Sequence, residues 1–195
     1  DVAALLAALT TEKDPFLLSR YRFYLAQSYR DSGQPAEALD AYLQRAKMGY
    51  WIEEVFVSIY QAGLLMEKLG RPPDETLEMF MRAHNALPSR AEALNAAARL
   101  CRKAQRYELA YHFARRGLEC TPSPSALFLD STTYDYGLLD ELQISAYWTG
   151  RYAGSLEAGE RLLNEGKVPE HEMTRIRANV QFARDKVGPR ETATA

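Results

Sequence analysis

The stretch FYLAQSYRDSGQPAEALDAY, residues 23–42, decides the fold of this chain. It places aromatic, aliphatic and small residues together at 23–26, then Gly33 in a turn, and then Ala38 and Tyr42 four residues apart. Residues three and four apart share one face of an α-helix. The stretch therefore predicts two amphipathic helices, joined by a tight glycine turn, that pack on each other through small and aromatic residues.

The same helix pair recurs along the chain. Pro88 and Pro122 are 34 residues apart and each closes a helix-like segment, and Ala83 and Gly117 repeat the interval. A period of 34 residues with two helices, small residues at their crossing and a terminal proline is typical of the tetratricopeptide repeat. We therefore predict an all-α fold, a tetratricopeptide-type superhelix of antiparallel helix pairs. No alternating segment predicts a strand.

We expect a single repeat domain over residues 1–187. Its four repeats are predicted at about 19–50, 52–88, 91–122 and 137–168, followed by a capping C-terminal helix at 169–186. Residues 1–10 are expected to be the second helix of a preceding repeat, and residues 188–195 a flexible tail. The small crossing residues are expected at Gly63 and at Ala97 and Ala98, whereas the fourth repeat has Gln143 where Gly or Ala is usual.

Between the third and fourth repeats the register jumps by a segment from Ser123 to about Tyr136. The segment includes Ala-Leu-Phe-Leu at 126–129, which is too apolar for a flexible linker. We therefore predict an ordered excursion that packs on the helices.

Charge and composition exclude several classes of function. The 195 residues carry 24 basic and 26 acidic side chains, a net charge of -2, which gives no electrostatic reason to expect nucleic acid as a partner. No apolar run is long enough to insert into a membrane, so a cytoplasmic location is expected. Cys101 and Cys120 have no partner motif, and we expect free thiols instead of a zinc site or a disulfide.

No constellation of catalytic residues is visible. His171 and Glu172 are followed by Arg175 where a second zinc-binding histidine would be required, and nucleotide-binding glycine motifs and a nucleophile elbow are absent from the sequence. Adjacent carboxylates such as Glu53 and Glu54 point about 100° apart on a helix and cannot flank one bond. We therefore predict no catalytic residue, no metal and no cofactor.

The first helix of each pair is expected to line the inner surface of the superhelix. Arginine supplies forked donors for carboxylate or phosphate, and tyrosine supplies rigid contact area for a peptide or a sugar face. The alternative is a hydrated groove in which Glu54, Glu92 and Asp140 neutralise the arginines. The predicted groove residues are Arg20, Phe23, Gln27, Arg30, Tyr60, Asn95, Arg99, Arg102, Asp140 and Tyr147.

Four sequence strings are more distinctive than the residues that tetratricopeptide repeats share. They are RFYLAQSYRD at 22–31, WIEEV at 51–55, YDYGLLDE at 134–141 and AYWTGRY at 146–152. Together they resemble the helical C-terminal region that follows the catalytic domain in bacterial family-2 glycosyltransferases, over residues 14 to 183. The family-like positions are Gln27, Arg30, Asp31, Glu54, Tyr134, Asp135, Asp140 and Tyr147.

The resemblance implies a parent enzyme that moves a sugar from a nucleotide donor. The chain has no Asp-x-Asp motif and no alternation of strands and helices, so the active site would lie outside these residues. We expect a non-catalytic scaffold whose partner is a protein, a peptide or an attached glycosyltransferase catalytic domain. The alternative is a free-standing adaptor that binds an acidic peptide. A homodimer paired through the end repeats is compatible with either.

Overall fold

The structure, a computed structural model, describes residues 2–165 and 167–188, and over these ranges it contains helices and no strand. The expected tail lies outside the described residues except for Gly188. In chain order the helices are α1 Val2–Thr11, α2 Pro15–Asp31, α3 Pro35–Ala46, α4 Ile52–Lys68, α5 Pro73–Ala86, α6 Glu92–Lys103, α7 Tyr107–Gly117, α8 Leu138–Trp148, α9 Tyr152–Glu165 and α10 Glu170–Val187. A π-helical turn, Thr133–Gly137, precedes α8.

Local signals explain where the helices begin. A proline stands in the first turn of α2, α3 and α5, where the missing N–H costs no helical hydrogen bond. The Asp14 side chain accepts a hydrogen bond of 2.8 Å from the Phe16 N–H and so caps α2.

The turn inside each helix pair follows one rule. A residue with positive φ ends the first helix, and the next N–H bonds back five residues to a helical carbonyl, as in Gln34 to Tyr29. Glycine serves in three pairs because it adopts this conformation without strain. The third pair uses Gln105, with φ of 58°. The four turn residues are Gly33, Gly70, Gln105 and Gly150.

The chain divides into two compact units. Of the described residues, unit 1 comprises 2–93 and 121–129, and contains α1 to α5. Unit 2 comprises 94–120, 130–165 and 167–188, and contains α6 from Leu94 onward, α7 to α10 and the π-helical turn. The prediction of a single repeat domain with four repeats stays a prediction.

In unit 1, consecutive helices pack on each other from α1 to α5. Gly63 of α4 lies directly against the ring of Phe80 of α5, and Phe80 and Ala83 are fully buried. Gly63 is one of the small crossing residues that the repeat pattern predicts. Cys101 of unit 2 is buried as well, and Cys120 is partly exposed.

The apolar excursion is ordered where it joins unit 1. The Leu127 N–H donates to Glu53 Oε2 over 3.2 Å, and the Leu127 carbonyl accepts from Arg90 Nη1 over 3.1 Å. The Phe128 ring stacks on Phe23 with centroids 6.3 Å apart. The prediction that this segment packs on helices is therefore confirmed at Leu127 and Phe128.

In unit 2, where α8 and α9 cross, the large residue lies on the first helix of the pair and the small residue lies on the second. Gln143 of α8 occupies the position where a small residue is usual, and Gly159 of α9 provides the space for it. A Cβ on Gly159 would lie 2.1 Å from Gln143 Nε2 and 2.5 Å from Val180 of α10. The core beside this crossing consists of Leu139, Ala158, Leu162 and Ile176.

Candidate functional site

Arg20 is a predicted groove residue of unit 1 whose guanidinium group has three side-chain neighbours. Its guanidinium group pairs with Glu54 and lies 5.2 Å and 5.3 Å from the ring centroids of Tyr24 and Trp51. It also donates to the Tyr24 hydroxyl. Arg20 is therefore held rigidly between two aromatic side chains at the surface.

Glu54 is the centre of a buried ion cluster. Besides pairing with Arg20, it accepts hydrogen bonds of 2.9 Å and 3.2 Å from Arg45, and Arg45 and Glu54 are both almost fully buried. The sequence-based alternative, in which Glu54 neutralises a groove arginine, describes this arrangement. Glu92 pairs with Arg90, which is not one of the predicted groove arginines.

The other predicted residues of unit 1 differ in exposure. Phe23 is 1% exposed and packs against Tyr42, so it belongs to the core instead of the surface. Gln27 and Arg30 of α2 and Tyr60 of α4 are partly exposed. Arg30 pairs with Asp31, its neighbour in the chain, over 2.8 Å.

Exposed aromatic side chains lie on α2 or contact its side chains. Phe16, Arg20 and Tyr24 recur every fourth residue and so share one face of α2. Phe16 contacts Tyr50 edge to face, with centroids 5.9 Å apart. The side chains that form this surface are 41% to 62% exposed. We call it the aromatic surface of unit 1; it consists of Phe16, Tyr24, Tyr50, Trp51 and Phe128.

A buried polar clamp positions Phe128. Arg90 bonds to Glu53 over 2.7 Å and to Glu92 over 2.6 Å, and both Arg90 and Glu53 bind the backbone of Leu127. Phe128 has φ of 49°, an uncommon value for a residue that is not glycine. Such a conformation persists only where its surroundings fix it, as the clamp does here.

The predicted groove residues of unit 2 are engaged in local interactions. Arg102 donates two hydrogen bonds, of 2.7 Å and 2.9 Å, to Glu141, and this bond raises the pKa of Arg102. Asp140 binds Arg175 of α10 over 2.9 Å and 2.8 Å. The carboxylate that neutralises Arg102 is thus Glu141, which the sequence did not single out for this role.

The remaining predicted residues of unit 2 lie on α6 and α8. Asn95 donates to Thr133 Oγ1 over 3.4 Å, and its amide lies against Gly137 of the π-helical turn. Arg99 is partly exposed. Tyr147 contacts Trp148, with ring centroids 5.7 Å apart, and is partly exposed.

Sequence reasoning found Arg20 but missed the aromatic residues around it. Tyr24 and Trp51 lie within sequence strings that carry the family resemblance, yet neither is among the predicted groove residues. Phe16, Arg20 and Tyr24 are four residues apart, and this spacing indicates that they share one face of a helix. Phe128 carried no such signal, because it depends on contacts with residues 37 or more positions away.

Two structural observations limit other kinds of site. No group of three or more His, Cys, Asp or Glu side chains is placed to hold a metal ion within residues 2–165 and 167–188. In the same ranges, no helix combines the length and the apolar character needed to cross a bilayer.

Comparison with solved structures identifies the fold. A MamA double mutant from RS-1 matches with a TM-score of 0.66 and 16% identity, covering 93% of this chain and 89% of that one. MamA from Desulfovibrio magneticus RS-1 matches with a TM-score of 0.60 and 16% identity, over 90% and 92% of the two chains. BtubC from P. vanneervenii matches with a TM-score of 0.63 and 17% identity, over 99% and 76%.

These proteins are helical repeat proteins of the tetratricopeptide type, and at such low identity the likeness concerns the fold alone. The predicted all-α, tetratricopeptide-type fold is thereby confirmed. No protein-family model matches the chain, and no curated protein matches it in sequence.

Proposed function

We propose that this chain is a non-catalytic helical-repeat module that binds a partner protein through the aromatic surface of unit 1. The observation that carries the proposal is the group of exposed aromatic side chains on α2 and against it, two of which contact Arg20. Contiguous exposed apolar patches are uncommon on soluble proteins unless they serve an interaction. Tyr, Trp and Arg are also the residues that most often dominate the binding energy of interfaces.

The contacts of Arg20 favour this role. Because Glu54 and the two aromatic rings fix the guanidinium group, little side-chain entropy is lost when a partner covers it. Glu54 carries one negative charge against Arg20 and Arg45, so the cluster keeps one net positive charge. The partner that suits this surface is therefore a protein segment that contributes apolar side chains, with acceptors at its margin.

The partner we favour is an attached glycosyltransferase catalytic domain, for which this chain would be the accessory region. This part of the proposal rests on the family-like strings, two of which, 22–31 and 51–55, contain Tyr24 and Trp51 of the aromatic surface. The complete reading frame of the gene tests it: a catalytic domain encoded in the same frame supports it, and a start codon just before Asp1 contradicts it. A cytoplasmic location stays a prediction.

The alternative is an adaptor for an acidic peptide, which would use Arg30, Arg99 and Arg102. Arg102 already forms a bidentate pair with Glu141, so an acidic ligand would have to compete with that carboxylate. Titration of acidic peptides against the wild type and an Arg99→Ala, Arg102→Ala double variant tests this alternative. Unchanged affinity and unchanged salt dependence would remove it.

Site-specific photo-crosslinking in the native cell tests the main proposal. A benzophenone amino acid replaces Tyr50 or Phe128, and a matched control carries it at Glu78, an exposed position on α5. We expect one discrete crosslinked protein from Tyr50 and Phe128, or an intramolecular crosslink mapped by mass spectrometry if the partner is the attached catalytic domain, and no crosslink from Glu78. A product of twice the chain mass would identify a homodimer. Equal crosslinking from all three positions, or none, would contradict a specific surface.

A further inference from the structure

Unit 2 contains a pocket of about 140 Å³ between α8, α9 and α10. Ile144, Tyr147 and Trp148 contribute its walls from α8, and Asn179 and Phe182 contribute from α10. None of the described residues that line the pocket is charged. Trp148 and Phe182 are largely exposed, so aromatic rings flank the pocket where it meets solvent.

Gln143 lines the same pocket and is the unusual residue in it. Its side chain is fully buried, yet within the described part of the chain neither Nε2 nor Oε1 has a hydrogen-bond partner. Buried amide groups are normally satisfied, and each exception requires an explanation. Solvent reaches neither atom in this conformation, so a water molecule or a ligand group in the pocket would provide the missing bonds once the side chain turns toward it.

Residues of α9 and α10 pack around Gln143. Gly159 leaves room for the amide, since a Cβ there would lie 2.1 Å from Nε2, and Val180 closes the same space from α10. The Ser155 hydroxyl donates to the backbone carbonyl of Gln143 over 2.8 Å, which joins α9 to α8 at this point. The helix crossing thus accommodates an amide where a small residue would pack more simply.

The hydrogen-bonding capacity of Gln143 selects the ligand. Its amide offers donors at Nε2 and an acceptor at Oε1. A carboxylate has only acceptors, an ammonium group has only donors, and an alkyl group has neither, so each would leave part of the amide unsatisfied. A second carboxamide has both and can form two antiparallel hydrogen bonds with it.

We propose that this pocket binds the carboxamide side chain of an Asn or Gln residue from a partner protein. A cavity of roughly 150 Å³ holds a molecule the size of benzene, so this pocket accommodates one side chain. A sugar ring carrying an acetamido group is less suited, because its hydroxyls would face Ile144, Trp148 and Phe182, which offer few partners.

This inference rests on the proposed function, since it assumes that the chain binds another protein. It uses residues of unit 2, whereas the crosslinking experiment uses residues of unit 1. The two proposals can therefore fail separately. If the pocket does not bind a carboxamide, the crosslinks at Tyr50 and Phe128 are still expected. If those crosslinks are not found, binding in the pocket is still expected.

Nuclear magnetic resonance of the full chain tests the proposal. The chain has two tryptophans, so the indole N–H of Trp148 reports on the pocket and that of Trp51 serves as an internal control. The probe is N-acetyl-glutamine methylamide, compared with the corresponding glutamate and leucine compounds. We expect the glutamine compound to shift the Trp148 signal, to leave Trp51 unchanged and to bind about ten-fold more tightly than the others.

Variants separate recognition by the amide from general apolar binding. Gln143→Met keeps the size of the side chain and should abolish the preference, so that the three compounds bind within about two-fold of each other. Phe182→Ala, at an exposed position, should weaken all three without changing their order.

Three results would overturn the proposal. They are no saturable shift of Trp148 with the glutamine compound, the same preference in Gln143→Met as in the wild type, and tighter binding of the methyl glycoside of N-acetylglucosamine than of the glutamine compound.

Discussion

Replacing Gly63 with alanine should destabilise unit 1, although the same change usually stabilises a helix. A Cβ on Gly63 would lie 2.5 Å from Phe80 Cε1 and 2.7 Å from Phe80 Cδ1, and the Phe80 ring is fully buried. Overpacking of this kind costs about 1–3 kcal/mol, whereas the gain in helix propensity is at most about 1 kcal/mol. We therefore expect a net loss of about 1–2 kcal/mol in the free energy of unfolding.

Gly154→Ala is the matched control for this prediction. Gly154 lies in α9, has no atom within 4 Å of the position that a Cβ would occupy, and has no positive φ. Alanine there should stabilise the chain by about 0.5 kcal/mol. Urea denaturation followed by circular dichroism at 222 nm measures both variants, through the midpoint and the slope.

A second change tests the cause of the loss. Phe80→Leu removes the ring atoms that the new methyl group would meet, so Gly63→Ala should cost less in that background than in the wild type. If Gly63→Ala raises the midpoint as Gly154→Ala does, the packing of α4 against α5 described here is wrong.

Three further predictions concern the core. Ala98→Leu, at a fully buried position, should destabilise the chain by about 1–3 kcal/mol, and an unchanged melting temperature would show that the predicted register is wrong. Glu54→Ala leaves the buried Arg45 without its counter-charge and should cost about 3–5 kcal/mol in urea denaturation, whereas Glu108→Ala, at an exposed ion pair, should leave the midpoint unchanged. Burial raises the pKa of Tyr42 to about 12, so the folded state retains the phenolic proton more tightly than the unfolded state. The stability from this group is fully present below pH 10 and falls by roughly 2–3 kcal/mol as the pH rises to about 12. Tyr42→Phe should reduce this alkaline loss without cost at pH 7, because the hydroxyl has no hydrogen-bond partner among the described residues; an identical pH dependence in both proteins would refute it.

The helices could be predicted from the sequence because each repeat specifies its own local structure. Gly33 and Gly150 mark turns, and Gly63 and Ala83 mark a helix crossing, through rules that act within one period. The exchange of sizes between Gln143 and Gly159 shows the limit of such rules. The pattern assigns the small residue to one helix, whereas packing requires only that one of the two facing residues be small.

The aromatic surface was harder to predict, because distant residues decide which side chains are available. Phe23 appeared on the groove face of α2, but the neighbouring elements bury it. Arg102 is paired with Glu141, which lies 39 residues away, and Asp140 with Arg175, which lies 35 residues away. The sequence pattern predicts which helix face carries a charged side chain, but it does not identify the side chain that neutralises that charge.

The central claim is that the aromatic surface of unit 1 binds a partner, and the affinity of the crosslinked partner tests it most directly. The partner is titrated against the wild type, Trp51→Ala, Phe128→Ala and the control Glu78→Ala, each with confirmed helicity. Removing a central aromatic contact typically costs at least about 2 kcal/mol, which corresponds to roughly thirty-fold in Kd. We expect a loss of that size for Trp51→Ala, a smaller one for Phe128→Ala and no change for Glu78→Ala. Equal affinity of all four proteins would contradict the account.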